Sequence, residues 1–75
     1  MKAIKTYYIG PTNFRGSRIA ATDEDGNSVV LSWDPALNSE PNHRMAAEAL
    51  RNKMGWSGAL VGGSLKRCMV WVFVE

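Results

Sequence analysis

The segment Gly10–Arg18 holds the side chains of this sequence that are best suited to contact a charged or aromatic partner. Its glycines permit positive φ and its proline fixes its own φ, which indicates a shaped loop instead of a flexible linker. Phe14 and Arg15 stand near the tip, where they would present one aromatic face and one planar cation. Guanidinium groups pair with phosphates and carboxylates, and aromatic faces stack on bases. The loop therefore predicts contact with a phosphate, a base or an acidic protein surface.

More basic and aromatic residues could enlarge this contact surface. Lys5 and Tyr7 belong to the strand-like run before the loop, and Lys66 and Arg67 lie in a later hairpin connection. If the last strand pairs with the first, that connection reaches one end of the sheet and adds to a basic face. The predicted partner-binding residues are Lys5, Tyr7, Phe14, Arg15, Arg18, Lys66 and Arg67. Arg15 is expected to matter most, because its loop position gives the side chain no role in a core.

Two patterns resemble ligand-binding loops but depart from them. A phosphate-binding P-loop needs a Lys-Ser/Thr pair after its second glycine and a helix after that, whereas Ser17-Arg18 and a strand follow here. Asp23, Asp25 and Asn27 resemble the first ligands of a calcium loop. The glycine comes too early for that loop and no helices flank it, so a turn is predicted instead.

His43 and Cys68 are the only histidine and the only cysteine of the chain, which is too few ligands for a zinc site. A cysteine–histidine nucleophilic pair is the remaining catalytic alternative. Cys68 begins an apolar strand, and His43 falls in the first turn of a helix, where positive charge is disfavoured. Structural roles are therefore expected for both. The sequence predicts a protein that is not an enzyme and that uses no cofactor and no metal.

The composition is that of one small globular domain, residues 1–75. The chain has 45% hydrophobic residues and a net charge of +2, which does not by itself identify a nucleic-acid binder. Carboxylates cluster between the second and third strands, which predicts an acidic hairpin end in addition to a basic face. A lone cysteine allows no internal disulfide, and no stretch reaches the roughly 20 apolar residues of a membrane span. We expect a cytoplasmic protein, bacterial or in a host cell, without a membrane partner.

Local patterns predict an α+β fold: a five-stranded, mainly antiparallel sheet with one helix packed on one face, in the order β-β-β-α-β-β. The helix begins at Ser39 or Glu40 as the cap, has Pro41 in its first turn and ends before a left-handed Gly55. Residues 62–67 are interpreted as a loose hairpin connection. The predicted strands are Lys2–Ile9, Ser17–Thr22, Ser28–Trp33, Ala59–Val61 and Cys68–Val74.

The last predicted strand, Cys68–Val74, is apolar on both faces, which is typical of a central strand covered on both sides. A single helix can cover only one face of the sheet. The other face must then be shielded by loops or by another molecule, which is the main indication of a partner. We expect the protein to be a monomer or a weak homodimer that associates through this uncovered face. The three tryptophans are expected to fill the small core.

Several segments together carry a resemblance: the run from Tyr8 to Ile19, the Asp-Gly-Asn turn, Asn42-His43 opening an alanine-rich helix, and Met54–Gly58. They resemble small proteins of unknown role from phages and mobile elements. The layout is also similar to phage-encoded inhibitors of the anti-CRISPR type, which are single α/β domains without enzymatic sites. This resemblance implies a protein that docks on a larger protein or ribonucleoprotein complex and inhibits or modulates host nucleic-acid-handling or defence machinery.

The alternative is direct, non-specific binding of nucleic acid through the basic and aromatic surface. No signature of an RRM, KH or helix-turn-helix domain accompanies that surface. The two alternatives differ in their response to salt, because each phosphate contact releases counterions and binding then weakens steeply as salt rises.

Overall fold

One antiparallel sheet with one helix forms the fold in the computed structural model, which describes residues 2–74. The elements are β1 (Ala3–Ile9), β2 (Arg18–Thr22), β3 (Ser28–Ser32), α1 (Ser39–Met54), β4 (Ala59–Leu65) and β5 (Cys68–Val74). The strand order across the sheet is β3-β2-β1-β5-β4, and every pairing is antiparallel. The predicted α+β fold and its element order are confirmed. No helix in residues 2–74 is long and apolar enough to cross a membrane.

β5 lies inside the sheet, with β1 on one side and β4 on the other. This confirms that the strand with two apolar faces avoids the edge. The middle of the sheet is nevertheless β1, one strand away from the predicted centre. Two β1 side chains, Ile4 and Thr6, are completely buried beneath the helix, so β1 contributes to the core although its sequence is only partly apolar.

The prediction of a short fourth strand followed by a loose connection is wrong. β4 continues to Leu65, and the connection shrinks to a turn at Lys66–Arg67 in which Arg67 adopts a left-handed φ of 70°. Gly62 lies opposite Trp71 in the register, and a Cβ atom on it would lie 2.5 Å from the indole ring. The glycine therefore belongs to the strand because it makes room for the tryptophan.

The helix begins one residue earlier than predicted, because Asn38 occupies the cap position and makes no side-chain cap hydrogen bond. Asn42, in the first turn, organises the approach to the helix instead. Its amide nitrogen donates to three carbonyl oxygens of the preceding connection, those of Asp34, Leu37 and Asn38. Its amide oxygen accepts from the backbone N–H of Asp34 at 2.8 Å. This network buries Asn42 without leaving its polar atoms unpaired.

The end of the helix follows the sequence prediction. Gly55 is left-handed with φ 73°, and its N–H donates to the carbonyl of Asn52. The N–H of Trp56 donates to the carbonyl of Arg51 at 3.0 Å, which completes a Schellman motif. This helix end places the Trp56 ring against Phe73 in an edge-to-face contact, with 6.0 Å between ring centroids. The helix end is therefore fastened to β5.

The core lies between α1 and one face of the sheet. The helix contributes Ala46, Ala47 and Leu50, all fully buried, with Met54 packed at the margin. Small alanines let the helix backbone approach the sheet closely. The sheet contributes Ile4, Ile19, Ala21, Leu60, Met69 and Trp71, and the partly buried Trp33 and Trp56 pack around this cluster. The expectation that the tryptophans fill the core is confirmed.

Candidate functional site

The face of the sheet that turns away from the helix has no element packed on it within residues 2–74. We call it the open face and define it by the strand registers. Its residues are Ala3, Lys5, Tyr7, Ile9, Arg18, Ala20, Thr22, Ser28, Val30, Ser32, Ala59, Val61, Gly63, Leu65, Cys68, Val70, Val72 and Val74. Most of these side chains are apolar, and several of the largest are exposed. The predicted uncovered face is therefore present.

The charges on the open face are all positive. Lys5 and Arg18 are its charged residues, and none of its positions carries a carboxylate. The Lys5 ammonium lies 5.8 Å from the centroid of the Tyr7 ring. The arrangement holds a cation over an aromatic surface in the centre of the sheet. An apolar surface with these charges complements an apolar surface that carries carboxylates.

The register brings the basic turns to one end of the sheet. Tyr7 and Ile9 at the end of β1 pair with Cys68 and Arg18, respectively. The β1–β2 loop and the Lys66–Arg67 turn therefore lie at the same end, as the sequence predicted for the case in which the last strand pairs with the first. The structure places all seven predicted partner-binding residues on the open face or at this basic end, and their role in binding stays a prediction.

The β1–β2 loop is held in shape by its own hydrogen bonds. The backbone N–H of Thr12 donates to the carbonyl of Arg15 at 2.7 Å, and the Thr12 hydroxyl accepts from the N–H groups of Phe14 and Arg15. Tyr8 and Ser17 share a hydrogen bond of 2.7 Å between their hydroxyls across the base of the loop. The Phe14 side chain is 94% exposed. The loop thus presents a large aromatic group to solvent from a braced backbone, as predicted.

The acidic residues between β2 and β3 lie at the opposite end of the sheet. The Asp23 carboxylate accepts from the N–H groups of Asp25 and Asn27 and from the Asn27 side chain, each at 2.9 Å. The Asn27 side chain, followed by the two backbone N–H groups, holds the pKa of Asp23 below its ordinary value. Lys2 pairs with Asp25 at 3.2 Å. These contacts confirm the predicted turn, and no cluster of potential metal ligands occurs in residues 2–74.

A buried polar network that the sequence did not indicate joins α1 to the sheet. The Trp71 indole N–H donates to the Thr6 hydroxyl at 3.0 Å, and that hydroxyl lies 2.7 Å from His43 Nδ1. Since an indole can only donate, the Thr6 oxygen accepts there and its own proton is available to neutral His43. Burial lowers the pKa of His43 below its ordinary value, although the contact with Thr6 opposes this.

The two residues of the catalytic alternative, His43 and Cys68, belong to opposite faces of the sheet. Cys68 pairs with Tyr7 and belongs to the open face, whereas His43 contacts Thr6 on the face beneath the helix. Both residues line a cavity of about 360 Å³ at the basic end. Alternation along the strands directs the thiol away from the face that holds the imidazole. Within residues 2–74 no hydrogen bond joins the two side chains, and the His43 ring contacts Thr6 instead.

Comparison of the chain with protein-family models, curated protein sequences and solved structures finds no match in any of the three. The functional argument therefore rests on the surfaces described above.

Proposed function

We propose that this protein is a non-enzymatic docking module that binds a larger protein complex through its open face. The observation that carries the proposal is the apolar open face, which the helix leaves uncovered. Large apolar patches with a polar margin are typical of protein-interaction surfaces. A domain of 75 residues gains its stability from a small core, so a second apolar face without a partner would be a liability.

The partner surface is apolar and acidic. Lys5 and Arg18 on the open face, with Arg15, Lys66 and Arg67 at its basic end, present positive charge without a carboxylate among the open-face residues. A second copy of the chain would bring equal charges together across the same face. Carboxylates on a different protein would pair with these groups and would set the register of docking.

The resemblance to phage-encoded inhibitors suggests the class of partner. We propose that the protein inhibits or modulates a host complex that handles nucleic acid or defends the cell, in the manner of an anti-CRISPR inhibitor. The second candidate function, direct binding of nucleic acid, is favoured by the clustering of basic residues at one end of the sheet.

Three exposed apolar residues provide a matched test of the docking surface. Val30 and Val61 lie on the open face and Met45 lies on the outer side of the helix, with exposures of 49%, 51% and 47%. We expect Val30→Glu and Val61→Glu to abolish capture of a protein complex from nuclease-treated bacterial lysate. Met45→Glu introduces the same charge at the same exposure and should capture as the natural protein does. Equal capture by all three variants would contradict the proposal.

Two further measurements distinguish the alternatives. Capture that disappears after nuclease treatment, and that weakens steeply between low and moderate salt, would favour direct nucleic-acid binding. Sedimentation of the purified protein over a range of concentrations measures self-association. A dimer that Val61→Glu dissociates and Met45→Glu does not would identify a second copy as the occupant of the open face, against the proposal.

A further inference from the structure

A cleft at the basic end is lined from two sides by residues of the β1–β2 loop and of the segment after β3. It has a volume of about 580 Å³, and its walls include Arg15, Ser17, Arg18, Ser32 and Trp33. Arg18 pairs with Ser32 in the register, and the N–H of Trp33 donates to the carbonyl of Ser17 at 3.0 Å. These backbone hydrogen bonds fix the two walls relative to each other, so the cleft exists before any ligand arrives.

The cleft is positively charged and has unused hydrogen-bonding capacity. Its lining contains two guanidinium groups and two serine hydroxyls and no carboxylate. The ion pairs within residues 2–74 join Lys2 to Asp23 and Asp25, so neither arginine has a carboxylate partner there. The Nε atom of Arg18 is shielded from solvent and makes no hydrogen bond within the same residues. A shielded donor without an acceptor is unfavourable, so a rotation of the Arg18 side chain that turns its guanidinium toward an oxyanion in the cleft would be favoured.

The apolar wall of the cleft and its volume indicate what the anion is attached to. Trp33 contributes an indole whose orientation is set by an edge-to-face contact with Tyr8, with 5.0 Å between ring centroids. Pockets for small molecules commonly measure about 300–1,000 Å³ and combine apolar walls with a few polar groups. At about 580 Å³ the cleft is much larger than an inorganic phosphate needs. It fits an anion attached to a planar ring.

We propose that this cleft binds a phosphate group attached to a planar ring, which is the chemistry of a nucleotide. Arg15 and Arg18 bind the phosphate, and the indole of Trp33 forms the apolar wall for the ring. The Ser32 hydroxyl donates to a remaining phosphate oxygen, and the Ser17 hydroxyl does so while its own oxygen accepts from Tyr8. The cleft shares Arg18 and Ser32 with the open face and Arg15 with its basic end. Nucleotide binding there does not require docking through the apolar residues of the open face, so either proposal can hold without the other. Nothing in the site breaks or forms a bond in the ligand.

Calorimetric titration with adenosine 5′-monophosphate, adenosine and inorganic phosphate tests the cleft. We expect the nucleotide to bind more tightly than either part alone. Arg15→Gln and Arg18→Gln should each weaken it by about tenfold or more, whereas Lys53→Gln, at the other end of the molecule, should change it by less than about twofold. Arg15 is an exposed loop residue, so its variant remains informative if Arg18→Gln melts at a lower temperature.

An oligonucleotide with and without a 5′-phosphate distinguishes a free nucleotide from the end of a nucleic acid as the source of the phosphate. Binding that depends on the phosphate supports the cleft in either case. The proposal is overturned if the nucleotide does not bind at millimolar concentration, or if Lys53→Gln weakens binding as much as the two arginine variants. It is also overturned if an acidic peptide occupies the cleft and the nucleotide cannot displace it.

Discussion

The buried Thr6 hydroxyl makes the polar contacts that join three elements of the interior. Its hydroxyl lies between the Trp71 indole and the His43 ring, and thereby connects β1, β5 and the first turn of α1. All three side chains are buried. A buried polar atom without a partner costs about 1–3 kcal/mol, so the position of each ring is constrained by the others. Burial in this network lowers the pKa of His43 and so favours its neutral form.

The buried histidine predicts that stability falls in mild acid. The pKa of His43 is lowered in the folded state from an ordinary value of 6.5, so the unfolded chain binds a proton more readily. The contribution of the neutral ring is therefore fully present above pH 6.5 and is lost as the pH falls toward the lowered value. Urea unfolding between about pH 7.5 and pH 5 measures this loss.

The control for this prediction is His43→Gln, which keeps a polar side chain and removes the titration. Its unfolding free energy should be lower throughout but should change less over the same pH range. A natural protein whose stability stays constant, or rises, as the pH decreases through this range would contradict the assignment of His43 as a buried neutral base.

At the scale of elements, β4 depends on glycine at one position and tolerates it at the next. A Cβ atom at Gly62 would lie 2.5 Å from the Trp71 ring, whereas one at Gly63 has no neighbour within 4 Å. Neither residue has positive φ, so the two sites differ mainly in the space available to a side chain. They provide a matched pair for testing whether the tryptophan is packed against the strand.

We expect Gly62→Ala to lower the free energy of unfolding by about 1–3 kcal/mol, because the indole at the centre of the core must move. Gly63→Ala should leave stability unchanged or raise it by a few tenths of a kcal/mol, because alanine restricts the unfolded chain. Thermal or urea unfolding of both variants measures the difference. Equal effects at the two positions would show that Trp71 does not set the requirement for glycine.

The same glycines show where sequence patterns stop being informative. The apolar run of β5, the helix and the Gly55 terminus depend on neighbours within a few residues, and all three were predicted. Gly62 was assigned to a loop because glycine weakens strands in isolation, and its reason lies in Trp71, across the β4–β5 hairpin. Asn42 fixes the approach to the helix by donating to carbonyl groups of the preceding connection. Such long-range contacts are not visible in a local pattern.

The candidate site was predictable to a similar extent. The exposed Phe14 and the location of the basic turns followed from loop residues and from one assumed strand pairing. The cleft could not be predicted, because it requires the register that sets Arg18 beside Ser32 and brings Trp33 next to the loop. The tryptophan was assigned to the core alone, whereas it packs on the core and also lines the cleft.

At the scale of the whole molecule, the two faces and the two ends of the sheet differ in kind. One face is covered by α1 and contains the core, while the other is open and carries only positive charge. The β1–β2 loop and the Lys66–Arg67 turn lie at one end of the open face. The acidic β2–β3 turn lies at the other end, where Lys2 partly neutralises its charge. The molecule therefore presents one apolar surface whose basic and acidic ends would fix the orientation of a bound partner.

Hydroxyl-radical footprinting of the complex captured from nuclease-treated lysate tests the docking face most directly. Tyr7 on the open face and Leu37 near the helix start have exposures of 37% and 36%, and the more exposed Leu65 and Met45 form a second pair. We predict that labelling of Tyr7 and Leu65 falls on capture, while labelling of Leu37 and Met45 stays as in the free protein. Protection of Leu37 and Met45 with unchanged labelling of Tyr7 and Leu65 would contradict docking through the open face.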